Sequence, residues 1–334
     1  MATTDTTRLL QMITGMIGTQ AVRVAAELAI ADHLACGPAT AEDLARRCDA
    51  HADSLRRLLR YLCGEGVFVE DESGRFALTP LGECLRSDSP TRVRDFARML
   101  AGDCASAWNE LIHSVRTGHC AFEHVHGAPL FRYLAAHPEK AHVFDSAMTG
   151  VHGPETGPMI DAYDFSGFET IVDVGGASGA VLLEILSRNP RPRGIVFDLD
   201  HVAEQASARI AAAGLADRAK GEGGSFFERV PEGADCYVMR HIIHDWNDEQ
   251  SIGILRRCRD AMRPDGKVLV VESVIPPGNE PHPSKMFDLI MLAIPGGRER
   301  TRADYERLYS AAGLRVTRVV PTASPVSVVE GVRV

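Results

Sequence analysis

The side chains of this 334-residue chain best placed to do chemistry fall in a few short stretches. Ile171-Val172-Asp173-Val174 runs directly into Gly175-Gly176-Ala177-Ser178-Gly179, and Val181 to Ser187 continues with helical spacing. A glycine turn between strand and helix lets a ligand approach the backbone, and free amides at the helix start favour an anionic group. Without a ligand, the same residues make a tight strand-to-helix connection. The next strand ends Phe197-Asp198-Leu199, where an acidic side chain would meet ribose hydroxyls. Ala177 and Ala180 occupy the third and sixth positions of the GxGxxG pattern, so the dinucleotide fingerprint is not matched. The two strand ends together fit either NAD or an adenosyl cofactor.

A second chemistry-bearing stretch is Ile243-His244-Asp245-Trp246, after the fourth strand of the same half. Glu272, ending the fifth strand, and Glu299, in a later loop, belong to the same carboxyl edge, where doubly wound folds bind ligands. An imidazole that titrates near neutrality can remove a proton from a reacting group. A histidine before Asp-Trp is also found as a packed or capping residue. Asp245 has a structural reading too, as N-cap of a helix whose apolar face is Ile252, Leu255, Cys258 and Met262. His244 and Asp245 with a third ligand would make a metal cluster, but Pro295, before Gly296-Gly297, cannot ligate through a side chain. No metal is expected.

These residues need two kinds of scaffold. From about Phe168 short apolar strands alternate with helical sequence: Thr170–Val174, Gly194–Leu199, Cys236–Met239 and Lys267–Glu272. That alternation predicts a parallel sheet covered on both faces, closed by an antiparallel pair at Leu314–Val320 and Pro325–Val332. Thr301 to Asp304 reads as a capping box opening a helix that ends near Gly313. The segment Ala219-Lys220-Gly221-Glu222, where a further strand is needed, lacks an apolar run.

From Thr7 to about Ala162 the pattern is helical. Ile13, Met16, Ile17, Val24, Leu28 and Leu34 predict one long helix with a broad apolar face, suited to packing on helices or on another subunit. Thr40 and Asp43 form a capping box, a second helix spans Ser54–Cys63, and Val67–Glu70 with Arg75–Leu78 reads as a hairpin. Helix, turn, helix and hairpin describe a winged-helix unit. Such units commonly read DNA, and Arg56, Arg57 and Arg60 would serve a recognition helix. The first hundred residues, however, hold 12 basic and 14 acidic residues, where a DNA reader would be basic.

Composition narrows the classes further. Forty-five per cent apolar residues and a net charge of −9 exclude a disordered chain and give no global attraction for nucleic acid or anionic membranes. Eight cysteines at irregular spacing, without a CxxC pair, suit free thiols in a reducing cytoplasm. The stretch Leu9–Leu34 is broken by Gln11, Arg23, Glu27 and Asp32, too polar for a signal core or a membrane span. A cytoplasmic protein without membrane or nucleic-acid partners is expected.

The ordered series VDVGG, FDL, Gly223-Gly224-Ser225-Phe226-Phe227, His244-Asp245-Trp246 and Gly296-Gly297-Arg298-Glu299-Arg300-Thr301 resembles the S-adenosylmethionine-dependent O-methyltransferases of the plant caffeate/flavonoid type, in their bacterial natural-product branch. The resemblance covers nearly the whole chain. It implies an α/β fold with a doubly wound Rossmann-like methyltransferase domain at 163–334, an N-terminal winged-helix dimerisation domain at 1–105, and a helical linker at 106–162 that contributes to the substrate pocket. It implies that Asp173 and Gly175 line the methionine end of the cofactor, that Asp198 takes the ribose, and that Ser225 and Phe226 border adenine with Arg240 nearby. His244 would be the base, flanked by Glu272 and Glu299. A pocket between the halves would take a small aromatic hydroxyl compound against Trp108, Phe131, Phe144, Met148, Asp245, Asp288, Met291 and Leu292. S-adenosylhomocysteine would leave as product, and a homodimer would form through the N-terminal domain. Ala177 stands where the family has a third glycine, Ser225 where it has an aspartate, and Arg240 where it has a lysine. Related proteins also hydroxylate, decarboxylate or close rings, which is the alternative chemistry for this fold; a DNA-binding regulator is the more distant one.

Overall fold

A computed structural model describes residues 4–334. The chain divides into two units: one runs to Glu110 and takes in Val125–Gly153, and the other comprises Leu111–His124 with Pro154–Val334.

In the first unit the expected long N-terminal helix is two helices, Asp5–Glu27 and Ile30–Ala35. Ala29 between them has φ of +50°, a left-handed residue that an uninterrupted helix excludes. Ala21, Ala25, Ile30 and Leu34 are buried, whereas Leu9, Leu10, Met12, Ile13, Met16 and Ile17 are 54–72% exposed. The apolar periodicity thus spans two environments. Thr40 and Asp43 form the expected capping box on helix Ala41–Arg47, worth about 1 kcal/mol. The following helix starts earlier than its apolar spacing suggests, at Ala52, because the His51 ring accepts the Ser54 amide. It buries Leu55, Leu59 and Leu62 against Phe68 and Phe76 of the hairpin. That hairpin, Phe68–Glu70 with Arg75–Leu78, gains a third strand, Ala39–Thr40, too short to show in the sequence.

The second unit is built on a seven-stranded sheet, numbered here in chain order: β1 Thr170–Val174, β2 Arg193–Asp198, β3 Ala219–Gly223, β4 Cys236–Arg240, β5 Lys267–Glu272, β6 Leu314–Pro321 and β7 Ser327–Arg333. The order across the sheet is β6-β7-β5-β4-β1-β2-β3. The five strands β1 to β5 pair parallel to one another, and β7 runs antiparallel between β5 and β6. Alternate residues enter two cores. Val172, Tyr237, Met239, Val268 and Val270 pack on one face, and Ile171, Val196, Val238, Leu269 and Val271 on the other. Burial on both faces is why these strands read as continuous apolar runs. β3 forms despite its polar sequence because it is an edge strand: its backbone pairs with β2 alone, and the Gly221 amide is taken by Ser207 Oγ at 3.1 Å. No helix among the described residues is long and apolar enough to cross a membrane.

Candidate active site

Strands β1, β2, β4 and β5 end at one edge of the sheet, and the turns that follow carry the reactive side chains. After β1 the backbone is left-handed at Gly175, with φ of +68°. A Cβ there would lie 2.4 Å from Ile242 Cδ1 and 3.6 Å from Phe226 Cε1, so glycine is required both for conformation and for space. Ala177, with φ of +47°, takes the left-handed conformation without being glycine. Its amide donates to Asp198 Oδ2 at 2.9 Å, while Asp198 Oδ1 accepts from Leu199 at 2.8 Å. The carboxylate at the end of β2 is thereby tied to the turn after β1, with lone pairs left over for hydroxyl donors.

Asp173, inside β1, is 1% exposed. Burial pushes its carboxyl up to about 7, Arg240 works against that, and Asp198 adds to it. Asp173 Oδ2 is buried without a hydrogen-bond partner among the described residues. An acid of unspent bonding capacity, beside a glycine turn and an acidic strand end, fits an adenosyl cofactor with its ammonium group, sulfonium and ribose. Ser225 follows β3 through Gly224, whose amide bonds Asp198 O at 2.9 Å. Its Oγ accepts from Phe227 N at 3.3 Å. Phe226 lies 4.8 Å from Phe227 and 6.1 Å from Trp246, centroid to centroid, partly in the core and partly beside Gly175. Arg240, at the end of β4, donates to Thr156 Oγ1 at 2.7 Å; burial pulls its pKa down while Glu155 and Asp173 hold it up.

The turn after β4 is a short 3-10 helix, Ile243–Asp245, and its His244 is 6% exposed. His244 Nδ1 lies 2.9 Å from Glu299 Oε1, and Nε2 lies 3.7 Å from Asp245 Oδ1, an ion-pair distance rather than a hydrogen bond. Burial alone would lower the imidazole pKa, but Asp245, Glu299 and Glu272 together outweigh it and raise the value to about 10. Glu299 Oε2 is buried with no hydrogen-bond partner among the described residues, so the ring borders a carboxylate that is not neutralised by other donors. Glu299 is itself held by Asp288 Oδ1, which accepts the Glu299 amide at 3.0 Å.

Glu272 differs from the expectation that it flanks the ring. Its Oε1 accepts the backbone amides of Ile242 at 3.2 Å and His244 at 3.1 Å, and its Oε2 accepts Tyr305 Oη–H at 2.5 Å. Its hydrogen bonds hold the turn, and it acts on the imidazole through its charge alone. Asp245 is likewise not the N-cap of the next helix: Asn247 Oδ1 accepts the Gln250 amide at 2.9 Å, and the helix runs Asp248–Ala261.

Three contributors went unnoticed in the sequence. Arg300, 1% exposed, donates to Ile243 O and Trp246 O, each at 2.9 Å, and pairs with Asp248 at 2.8 Å, pinning the carbonyls of the His244 turn. It lies inside the GGRERT stretch, next to Glu299. Tyr305 lies in the helix Arg302–Ala311, which the capping box announced, but nothing local shows its partner. His241 sits at φ of +56°, bonds Glu155 Oε2 through Nε2 at 2.7 Å, and places its ring centroid 5.0 Å from that of His244. Gly297 supplies the remaining constraint, since a Cβ there would come within 1.9 Å of His244 O.

The side chains expected at the acceptor fall in both units. Trp108, Phe144 and Met148 are half-buried and Phe131 is exposed in the first, with Phe131 and Phe144 edge to face at 6.2 Å. Asp288, Met291 and Leu292 are half-buried on the helix Pro283–Ala293 of the second.

Comparison with known proteins agrees with this chemistry. Residues 108–315 match the O-methyltransferase domain family, and residues 10–88 match the O-methyltransferase dimerisation domain. Among curated proteins, the phenazine O-methyltransferase PhzM of Lysobacter antibioticus is 46% identical over 322 residues, covering 96% of this chain and 94% of the relative. The crystal structure of LaPhzM superposes with a TM-score of 0.93 at 44% identity, covering 99% of this chain and 100% of that one. An O-methyltransferase from neocarzinostatin biosynthesis, solved with S-adenosylmethionine and 2-hydroxy-5-methyl naphthoic acid, gives a TM-score of 0.85 at 38% identity, covering 95% of this chain and 96% of that one.

Proposed function

The chain belongs to the dimerisation-domain O-methyltransferases that use S-adenosylmethionine, and from that premise we propose that it methylates a hydroxyl of a small, planar aromatic natural product with His244 as general base. The observation that carries this reading is the buried His244–Glu299 pair, 2.9 Å long, beside the turn that suits the cofactor.

A phenol is a weak nucleophile until its proton is removed as the new bond forms. S-adenosylmethionine supplies the electrophilic methyl group and a positive charge. With Nδ1–H donated to Glu299, Nε2 of the neutral ring is the atom that receives the phenolic proton; the carboxylates favour the imidazolium, and the positive charge of the cofactor opposes them. Glu299 fixes the ring and stabilises the imidazolium that results, as the orienting acid does in a triad. Glu272 and Arg300 hold the backbone of the turn, so the ring has one position from which to work. Asp173 and Gly175 are assigned to the methionine end of the cofactor, Asp198 to its ribose, and Ser225 and Phe226 to adenine. Arg240 is assigned to the same site through its charge beside Asp173.

The acceptor class draws on relatives named for phenazine and naphthoate substrates, and on the aromatic and methionine side chains at Trp108, Phe131, Phe144, Met148, Met291 and Leu292, a composition that favours flat rings. Asp245 and Asp288 would supply its polar contacts. The exposed stripe Leu9 to Ile17 is assigned to a second copy of the chain, in keeping with the dimerisation family over 10–88. The enzyme is placed in the cytoplasm.

Incubation with methyl-labelled S-adenosylmethionine and a panel of phenols, hydroxynaphthoates and hydroxyphenazines should give labelled ether and S-adenosylhomocysteine in equal amounts. Cofactor binding with neither product across the panel would overturn the acceptor class. An oxygenated or decarboxylated product without label would overturn the reaction.

A further inference from the structure

Tyr305 is fully buried in the core of the second unit, among Leu308, Tyr309, Ile254 and Leu255. A phenylalanine would fill that space as well, so the hydroxyl needs its own reason. Its partner is Glu272 Oε2 at 2.5 Å, and the other oxygen of that carboxylate accepts the amides of Ile242 and His244. Two hydrogen bonds therefore run from the helix Arg302–Ala311 through the end of β5 to the backbone of the proposed base, and a third ties in Ile242.

We propose that Tyr305 is a positioning residue of the methyl transfer: its hydroxyl keeps Glu272 in the anionic form that locks the His244 turn and strengthens His244 as a base. The inference rests on His244 being that base. A buried carboxylate is costly unless each oxygen finds donors; burial, joined by Glu299, leaves the Glu272 pKa raised, while His244, the Tyr305 hydrogen bond and Arg300 hold it down. Tyr305 itself stays a donor, because burial, then Glu272 and Glu299, hold its pKa far above the ordinary phenol value. Without the hydroxyl, Glu272 has two donors instead of three and takes up a proton more readily. The imidazolium then loses one of its three carboxylate partners. The other groups facing the pair are His241 and Asp245 on the turn, Glu299 and Arg300 in the segment ahead of the helix, Asp288 through the Glu299 amide, and Tyr309 beside Glu272. Tyr305 is the side chain that donates a hydrogen bond to the Glu272 carboxylate.

The test is a histidine-ring NMR titration of the ligand-free full chain, with the His244 signal identified by its loss in His244→Gln. In Tyr305→Phe the His244 pKa should fall by about one unit. Turnover of the best phenol from the panel should fall roughly 5- to 10-fold at its plateau, with its acid limb moved to lower pH and KM for the cofactor unchanged. A folded Tyr305→Phe protein with the His244 pKa and acid limb of the parent would overturn the proposal. Should that variant not fold, Glu272→Gln removes the same charge with the side-chain length kept, and the same two readings decide. Loss of turnover in His244→Gln with an unmoved pKa in Tyr305→Phe refutes the role of Tyr305 alone. Full turnover in His244→Gln refutes the base instead.

Discussion

The two turns that face each other across β1 and β4 are built from different materials. The turn after β1 is backbone: Gly175 and Ala177 in left-handed conformation, amides directed to Phe197 O and Asp198, and one buried acid beneath. The turn after β4 is side chain: His244 with Glu299, Glu272 under its amide, Arg300 over its carbonyls and Tyr305 behind. A backbone turn can enclose a ligand whose shape never changes. A turn that must accept and release a proton needs charges whose strength is set by neighbours. The difference teaches where substitutions should matter: single side chains at the second turn, and conformation with one acid at the first.

The largest effect expected is at the base. His244→Ala should lower turnover by roughly 100- to 10,000-fold with cofactor affinity unchanged within about twofold. Steady-state kinetics beside calorimetric cofactor binding checks both; unchanged turnover would reduce the second turn to scaffolding. The two turns should also separate by pH. Asp173 has its folded-state pKa raised from 3.8 to about 7, so the folded state holds a proton the unfolded chain has lost, and stability falls as pH rises through that window. His244, raised from 6.5 to about 10, contributes stability that is complete below 6.5 and is lost as pH climbs toward 10. Denaturation at a series of pH values should show both declines. Asp173→Asn should abolish the lower one, worth up to about 4 kcal/mol, and leave the upper. A variant whose lower decline persists would mean that Asp173 is solvated in solution.

The first turn was legible in the sequence because its parts are contiguous: strand, glycines and helix follow one another, and Asp198 announces itself at the next strand end. The second was half legible. Chain order put His244, Glu272 and Glu299 on one edge and the family resemblance joined them, but which atom of Glu272 meets which group depends on pairing across β4 and β5, to which local pattern is blind. Arg300 and Tyr305 were invisible for the same reason, since an arginine beside a helix cap and a tyrosine on an amphipathic helix read as ordinary surface and core. The long first helix was misread because apolar spacing does not register one left-handed residue at Ala29. β3 does not show in the apolar pattern because edge strands draw stability from backbone pairing that composition does not report.

Glu299→Gln sharpens the comparison at the next size down. The amide keeps the hydrogen bond to Nδ1 and removes the charge, so turnover should drop roughly 10- to 100-fold, about the cost of removing an orienting partner. The His244 pKa should fall with it. If the carboxylate only orients the ring, the pKa and plateau turnover will both stay near those of the parent, and the charge would then belong to Glu272 and Asp245.

The smallest effects come from placing glycine at the left-handed residue of each turn. His241→Gly should destabilise by about 1–3 kcal/mol, because the buried Glu155 loses a 2.7 Å bond that outweighs the relief of strain. Ala177→Gly should stabilise instead. Relief of a left-handed alanine is worth roughly 1–2 kcal/mol, offset by about 0.4–1 kcal/mol of extra freedom in the unfolded chain. The net gain of about half a kcal/mol should come with unaltered cofactor affinity, because that turn offers the ligand its backbone and the Ala177 amide stays bonded to Asp198. Opposite signs from one substitution, read by denaturant midpoint at equal slope, would confirm that one turn is made of backbone and the other of side chains. Two gains of similar size would mean that His241 is an ornament of the turn, and that its bond to Glu155 does nothing to hold the base in place.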